Sequence, residues 1–150
     1  MGNRVQIKNV RAFIDRALAE GATLVAGGTE GLPEKGFYVR PTVLGGVSND
    51  SFAAQTEAFG PVLTILSYKD EDEAVALANA SEFGLAAYVQ GPDRESAMTV
   101  ARRIDAGMVH INGGMISLEL PFGGCKRSGV GRKLGIEGLK EYLEPKSIYG

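Results

Sequence analysis

Leu85-Ala86-Ala87-Tyr88-Val89-Gln90, then Asp93-Arg94-Glu95-Ser96-Ala97-Met98-Thr99-Val100-Ala101-Arg102-Arg103-Ile104, then Met108-Val109-His110-Ile111-Asn112 alternate an apolar run, a helical pattern and a second apolar run. Ala97, Val100, Ala101 and Ile104 recur on one helical face, Asp93 is a suitable N-cap, and Gly107 closes the segment. A strand, a helix of about a dozen residues and a second strand make a crossover unit, whose natural product is a parallel pair. The expected fold class is therefore α/β, a largely parallel sheet with helices on its faces.

The flanking segments fit the same plan. Val10, Phe13, Ile14, Ala17 and Leu18 predict an opening amphipathic helix over roughly residues 3 to 20, stopped at Gly21. Thr23-Leu24-Val25-Ala26 predicts a short strand ended by Gly27-Gly28, and Phe37-Tyr38-Val39 and Thr42-Val43-Leu44 predict extended pieces around Pro41. Val62-Leu63-Thr64-Ile65-Leu66 is continuous and rich in branched side chains, as in a strand buried on both faces, and is the expected central strand. Asp70 with Glu73 starts a helix carrying Ala74, Val75, Leu77 and Ala78, followed by Gly84. A last helix carries Ile136, Leu139 and Leu143 and is stopped by Pro145.

A chain of 150 residues is long enough for one domain with a real core. Hydrophobic residues at 44% and charged residues at 23% exclude a disordered or fibrous chain. Sixteen basic against eighteen acidic side chains, net −2, leave no electrostatic footprint for nucleic acid or an anionic membrane. No apolar run approaches the roughly 20 residues that cross a bilayer, and Met1-Gly2-Asn3-Arg4 lacks the apolar core of a signal peptide. A cytoplasmic location is expected. Gln6 stands where myristoylation wants Ser or Thr, and Asn49-Asp50-Ser51 and Asn79-Ala80-Ser81 match the glycosylation pattern by chance.

Pro121-Phe122-Gly123-Gly124-Cys125-Lys126-Arg127-Ser128-Gly129-Val130-Gly131-Arg132-Lys133-Leu134-Gly135 puts five glycines into a loop that follows a strand end, where ligands of open α/β sheets collect. Phe122 could face a substrate there. Spacing alone favours a tight structural turn with Phe122 in the core. Gly129, Gly131 and Gly135 imitate a dinucleotide fingerprint, but only 15 residues follow Gly135 and no complete βαβ unit fits. The alternative is that Arg132 and Lys133 cover the start of the last helix while the glycines serve close packing. By residue type alone Glu57 is a solvated or capping acid, though its carboxylate could accept two ribose hydroxyl hydrogens. His110, alone in an apolar strand, is expected to be a satisfied core side chain. No metal cluster accompanies it. Cys125 has no neighbouring base and is expected to be an inert loop thiol.

Taken in order, Gly21-Ala22, Gly27-Gly28, Pro41-Thr42-Val43, Glu57-Ala58-Phe59-Gly60-Pro61-Val62, Phe83-Gly84-Leu85-Ala86, Gly107, Ile111-Asn112 and Pro121-Phe122-Gly123-Gly124, with Lys126, Ser128-Gly129 and Gly131-Arg132, resemble the NAD(P)-dependent aldehyde dehydrogenase superfamily over essentially the whole chain. The likeness is to its C-terminal third, the rear of the catalytic domain. The resemblance implies that Glu57 binds the nicotinamide-ribose hydroxyls of NAD or NADP, that Phe59 packs by the nicotinamide, and that Phe122 lines the aldehyde tunnel. It also implies a cysteine nucleophile, a general-base glutamate and a Rossmann domain, all expected upstream of Arg4. Cys125 does not stand where the nucleophile lies. Lys133 departs from the family's frequent Glu.

The expectation is thus one domain over 1–150, with the start of a final assembly strand at about 146–150, inactive alone and completed by a homo-oligomer or a complementary N-terminal chain. Two rivals remain at this point. One is a non-catalytic binding or assembly module that docks on such a chain or on itself. The other is a small α/β domain binding a nucleotide through Glu57 and the late loop.

Overall fold

The computed structural model describes residues 1–33 and 35–150. The chain divides into two compact units, Met1–Tyr68 and Lys69–Gly150. The α/β class holds in both.

The first unit opens on helix α1 (Arg4–Ala19). Asn3 caps it, its side chain accepting from the Gln6 amide at 2.9 Å. Ile7, Val10, Phe13, Ile14 and Ala17 form the buried stripe, the spacing of a helix with one face in the core. Strands β1 (Thr23–Ala26), β2 (Thr42–Gly45) and β3 (Val62–Thr64) form a sheet in that order, and the four-residue helix α2 (Phe52–Gln55) lies between β2 and β3 in sequence. β1 and β2 are antiparallel, with an irregularity between Leu24 and Ala26, and β2 and β3 are parallel. Phe13, Ala17, Leu44 and Ala53 make the core, with the Phe13 and Phe52 ring centroids 4.9 Å apart.

The expected central strand is corrected here. β3 is an edge strand of three residues, Leu63 is 59% exposed, and the middle strand is β2, where Leu44 is fully buried. A continuous apolar run reports that a strand has apolar neighbours, not which side supplies them. Phe37-Tyr38-Val39 forms no strand. Because Leu44 sits at 0% exposure, Leu44→Ala is expected to cost about 2–5 kcal/mol. A urea titration followed by tyrosine fluorescence measures it, and a change below about 1 kcal/mol would mean the site collapses around the gap.

The second unit holds helix α3 (Glu71–Asn79), strands β4 (Phe83–Gly84) and β5 (Ala86–Val89), helix α4 (Arg94–Ala101), strands β6 (Met108–Ile111) and β7 (Cys125–Lys126), and helix α5 (Gly135–Lys140). β5 and β6 pair in parallel, Ala86 with Met108 through Val89 with Ile111, with α4 between them in sequence. β4 and β7 are antiparallel. Among the described residues parallel pairing is confined to β2–β3 and β5–β6, each of which has one helix between its two strands and no other strand. Asp70 caps α3 through the Glu73 amide at 2.9 Å while the Glu73 carboxylate accepts from Lys69 N–H at 2.7 Å.

Asp93 caps α4, accepting from the amide and hydroxyl of Ser96 at 2.9 and 2.8 Å. These bonds favour the charged form and lower its pKa. A carboxylate with a depressed folded-state pKa contributes stability above its unfolded pKa and loses it as pH falls through the folded one. The protection factor of the Ala97 amide, bonded to Asp93 O at 3.3 Å, should therefore fall on acidification in the native chain but not in Asp93→Ala.

The last helix also differs from expectation. α5 ends at Lys140, leaving Leu143 outside it, and Ile136 and Leu139 are exposed rather than packed. Six residues without a buried face make a marginal helix, so it stops well before Pro145. Residues 143–150 lie outside the helices and strands and are exposed.

Candidate functional site

Glu57 and Phe59 occupy the connection between α2 and β3. Ser51, not Glu57, caps α2, accepting from Ala54 N–H at 3.3 Å. Glu57 is exposed, and among the described residues its carboxylate forms no ion pair. A carboxylate in that state keeps all its acceptor sites for a ligand.

Phe59 combines an exposed ring, 72%, with a left-handed backbone, φ 49°. For a bulky side chain that conformation costs roughly 1–3 kcal/mol and persists only where the surroundings impose it. Three contacts do so. Gln6 Nε2 donates to the Phe59 carbonyl at 3.0 Å. Gly60 lies against α1 so closely that a Cβ there would come within 2.6 Å of Val10 Cγ2. The Pro61 carbonyl accepts from Thr42 N–H at 2.9 Å, tying the turn to β2. The result is an aromatic face held toward solvent two residues from an unpaired carboxylate.

Phe122 belongs to the second unit. It is half-buried and lines a cleft of about 250 Å³ together with His110, Met115, Ile116, Leu120 and Pro121. It is a wall rather than a core residue. Its amide and carbonyl exchange hydrogen bonds with Lys133 at 2.6 and 2.8 Å, and Lys133 Nζ stands 4.9 Å from its ring centroid. Opposing charge on an aromatic face is mildly attractive, so Lys133 steadies the ring.

The glycine-rich loop is anchored along its length. Gly84 N–H donates to Ser128 Oγ at 3.0 Å and Arg127 N–H to Glu82 O at 3.0 Å. Lys126, itself at φ 53°, sends Nζ to the carbonyls of Asn79 and Ser81 at 2.8 and 3.1 Å, closing the end of α3. Arg132 Nη1 donates to Gly124 O at 2.7 Å, so it braces the loop. The Cys125 thiol faces Gly84 O and Asp105 O at 3.5 and 3.4 Å, partners that accept a proton bond but take no proton. His110 departs from the satisfied core residue expected of it. Nδ1 bonds Gly114 O at 2.8 Å and therefore carries the proton, while Nε2 is buried with no partner among the described residues. Its ring stacks on Tyr88, centroids 4.7 Å apart. Among the described residues no cluster of His, Cys, Asp and Glu could hold a metal ion, and no helix is long and apolar enough to cross a membrane.

Sequence reasoning missed Gln6 and Lys126 as supports. Gln6 is 53 residues from Phe59, and nothing in the pattern of α1 marks it.

A strand–helix–strand framework with a glycine-rich loop closing on the strand end defines an α/β enzyme-like scaffold, and the family model for the aldehyde dehydrogenase family matches residues 1–148. The chain belongs to the aldehyde dehydrogenase family. A relative from Staphylococcus saprophyticus named for the same family is 46% identical over 151 residues, covering 99% of this chain and 32% of its own length. Among solved structures, a cysteine-to-alanine variant of aldehyde dehydrogenase C from Pseudomonas syringae, in complex with NAD+ and octanal, superposes with a TM-score of 0.91 at 48% identity, over 96% of this chain and 30% of that one. A Mycobacterium tuberculosis aldehyde dehydrogenase complexed with NAD+ gives 0.86 at 40% identity, over 92% and 29%. The chain spans about a third of the length of the curated relatives it matches.

Proposed function

We propose that residues 1–150 act as the C-terminal third of an NAD(P)-dependent aldehyde dehydrogenase, the rear part of its catalytic domain, oxidising an aldehyde to a carboxylate once the remaining segments are supplied. The observation that carries this is the Glu57–Phe59 turn, an unpaired carboxylate beside an aromatic ring held outward against backbone strain. Both groups fit a nicotinamide nucleoside. The Glu57 carboxylate accepts from the ribose hydroxyls, and the Phe59 ring offers an apolar face to the base. Bound NAD(P) would supply the hydride acceptor, a chemistry no side chain of this stretch can provide.

Phe122 forms one wall of the aldehyde passage, beside the apolar side chains of Met115, Ile116 and Leu120. Taken alone the chain is catalytically silent. Its one thiol, Cys125, is directed at backbone carbonyls with no base to activate it. The exposed stretch at about 146–150 pairs as a strand with another subunit or with a complementary N-terminal chain.

The test is an aldehyde oxidation assay on the pure chain and on the chain co-expressed with the N-terminal two thirds of the P. syringae relative. NADH formed from octanal only by the pair is the expected result. NADH from the chain alone would sink the silent-fragment reading. A stable pair that forms none would sink the enzyme reading itself.

A further inference from the structure

We infer that Gln6 is a positioning residue for the cofactor-facing turn, acting through the Phe59 backbone rather than by touching the cofactor. The inference rests on the functional reading of Glu57 and Phe59 given above. The Phe59 ring is largely exposed, so it draws no packing that would offset its left-handed backbone. What holds the peptide must act on the peptide. Among the described residues the only side-chain hydrogen bond it receives is from Gln6 Nε2.

The Gln6 amide is itself oriented at both ends. Its Oε1 accepts from Gly2 N–H at 3.0 Å, which turns Nε2 toward Phe59, and its own N–H is fixed on the capping Asn3 Oδ1. Gln6 stands on the first turn of α1, four residues before Val10, the residue against which Gly60 rests. One face of α1 therefore presents a polar pin and an apolar stop to consecutive residues of one turn. The stop fixes where Gly60 lies. The pin fixes which way the peptide plane between Phe59 and Gly60 points, and with it the direction of the ring. The strain is thereby made useful, because a relaxed Phe59 would lose the outward direction of its ring.

Two variants separate donor from shape. Gln6→Glu keeps the length and the acceptor for Gly2 but presents a carboxylate to a carbonyl. Gln6→Met keeps length alone. In the 150-residue chain labelled with carbonyl-13C phenylalanine, the Phe59 resonance should move in both variants, while the other phenylalanine carbonyls and the melting midpoint stay in place. In the chain co-expressed with the P. syringae N-terminal segment, both variants should raise the KM for NAD+ about five- to tenfold, the range of one lost hydrogen bond, with kcat changed less than about twofold. Gln6→Lys, which regains a donor of similar reach, should recover most of that loss. An unmoved Phe59 resonance would overturn the pin. A moved resonance with an unchanged KM would overturn its role in positioning. If the unsubstituted pair binds no NAD+, the functional reading fails and the cofactor role of Gln6 falls with it, whereas the resonance still reports the pin.

Discussion

Glu57→Gln, in the chain assembled with a complementary N-terminal segment, is expected to weaken NAD+ binding by roughly 10- to 100-fold, the range of a hydrogen bond to a charged group. The amide has nearly the size of the carboxylate but offers one acceptor oxygen where the carboxylate offers two, and its NH2 group would meet a hydroxyl that donates. Because Glu57 is exposed and outside any ion pair among the described residues, the substitution removes no support from the fold. Melting should be unchanged while KM for the cofactor rises. Isothermal titration of NAD+ separates this from a change in chemistry. If affinity is retained, Glu57 is the solvated acid that its residue type alone suggests, and the turn has no cofactor role.

That contrast shows which parts of the molecule were legible in the chain. Helices α1, α3 and α4 lie within a few residues of their expected bounds, because amphipathic spacing and the caps at Asp70 and Asp93 are local signals. β5 and β6 were legible for a related reason: the helix between them forces a crossover. The rank of β3 was not, since whether a strand is central depends on what pairs with its far side. Neither was the two-residue pairing of β4 with β7, which joins Phe83 to Lys126 across the intervening crossover unit. The site divides in the same way. Glu57, Phe59 and Phe122 were marked by the order of motifs, whereas residue type and spacing alone favoured bland readings of Glu57 and Phe122. Gln6, which holds one of them in place, lies on an ordinary polar position of an amphipathic helix and becomes visible only once α1 and the turn are side by side.

Gly107→Ala is expected to be the most damaging single-methyl change in the second unit, costing at least about 3 kcal/mol, the upper end of core overpacking. The reason is steric and independent of backbone conformation. A Cβ at Gly107 would overlap the Gly123 carbonyl oxygen, with Gly123 C at 2.8 Å and Gly124 Cα at 3.0 Å, all of them backbone atoms that cannot rotate aside. Gly107 N–H also donates to Gly84 O at 2.9 Å, so retreat in the other direction would break that bond at the join of β4 and β5. The glycine-rich loop has to give instead. Moving Gly123 pulls on Phe122, and the paired hydrogen bonds between Phe122 and Lys133 should open. Hydrogen exchange at those two amides should accelerate together, and the denaturation midpoint should fall. Gly113→Ala is the control: its backbone is left-handed, φ 81°, yet nothing lies within 4 Å of the added methyl, so it should cost only about 1–2 kcal/mol and leave Phe122 and Lys133 protected. Equal effects from the two substitutions would mean that conformational strain, not the close approach of the loop, explains why glycine is needed at 107. The Phe122 wall of the cleft would then owe its position to some contact other than this one.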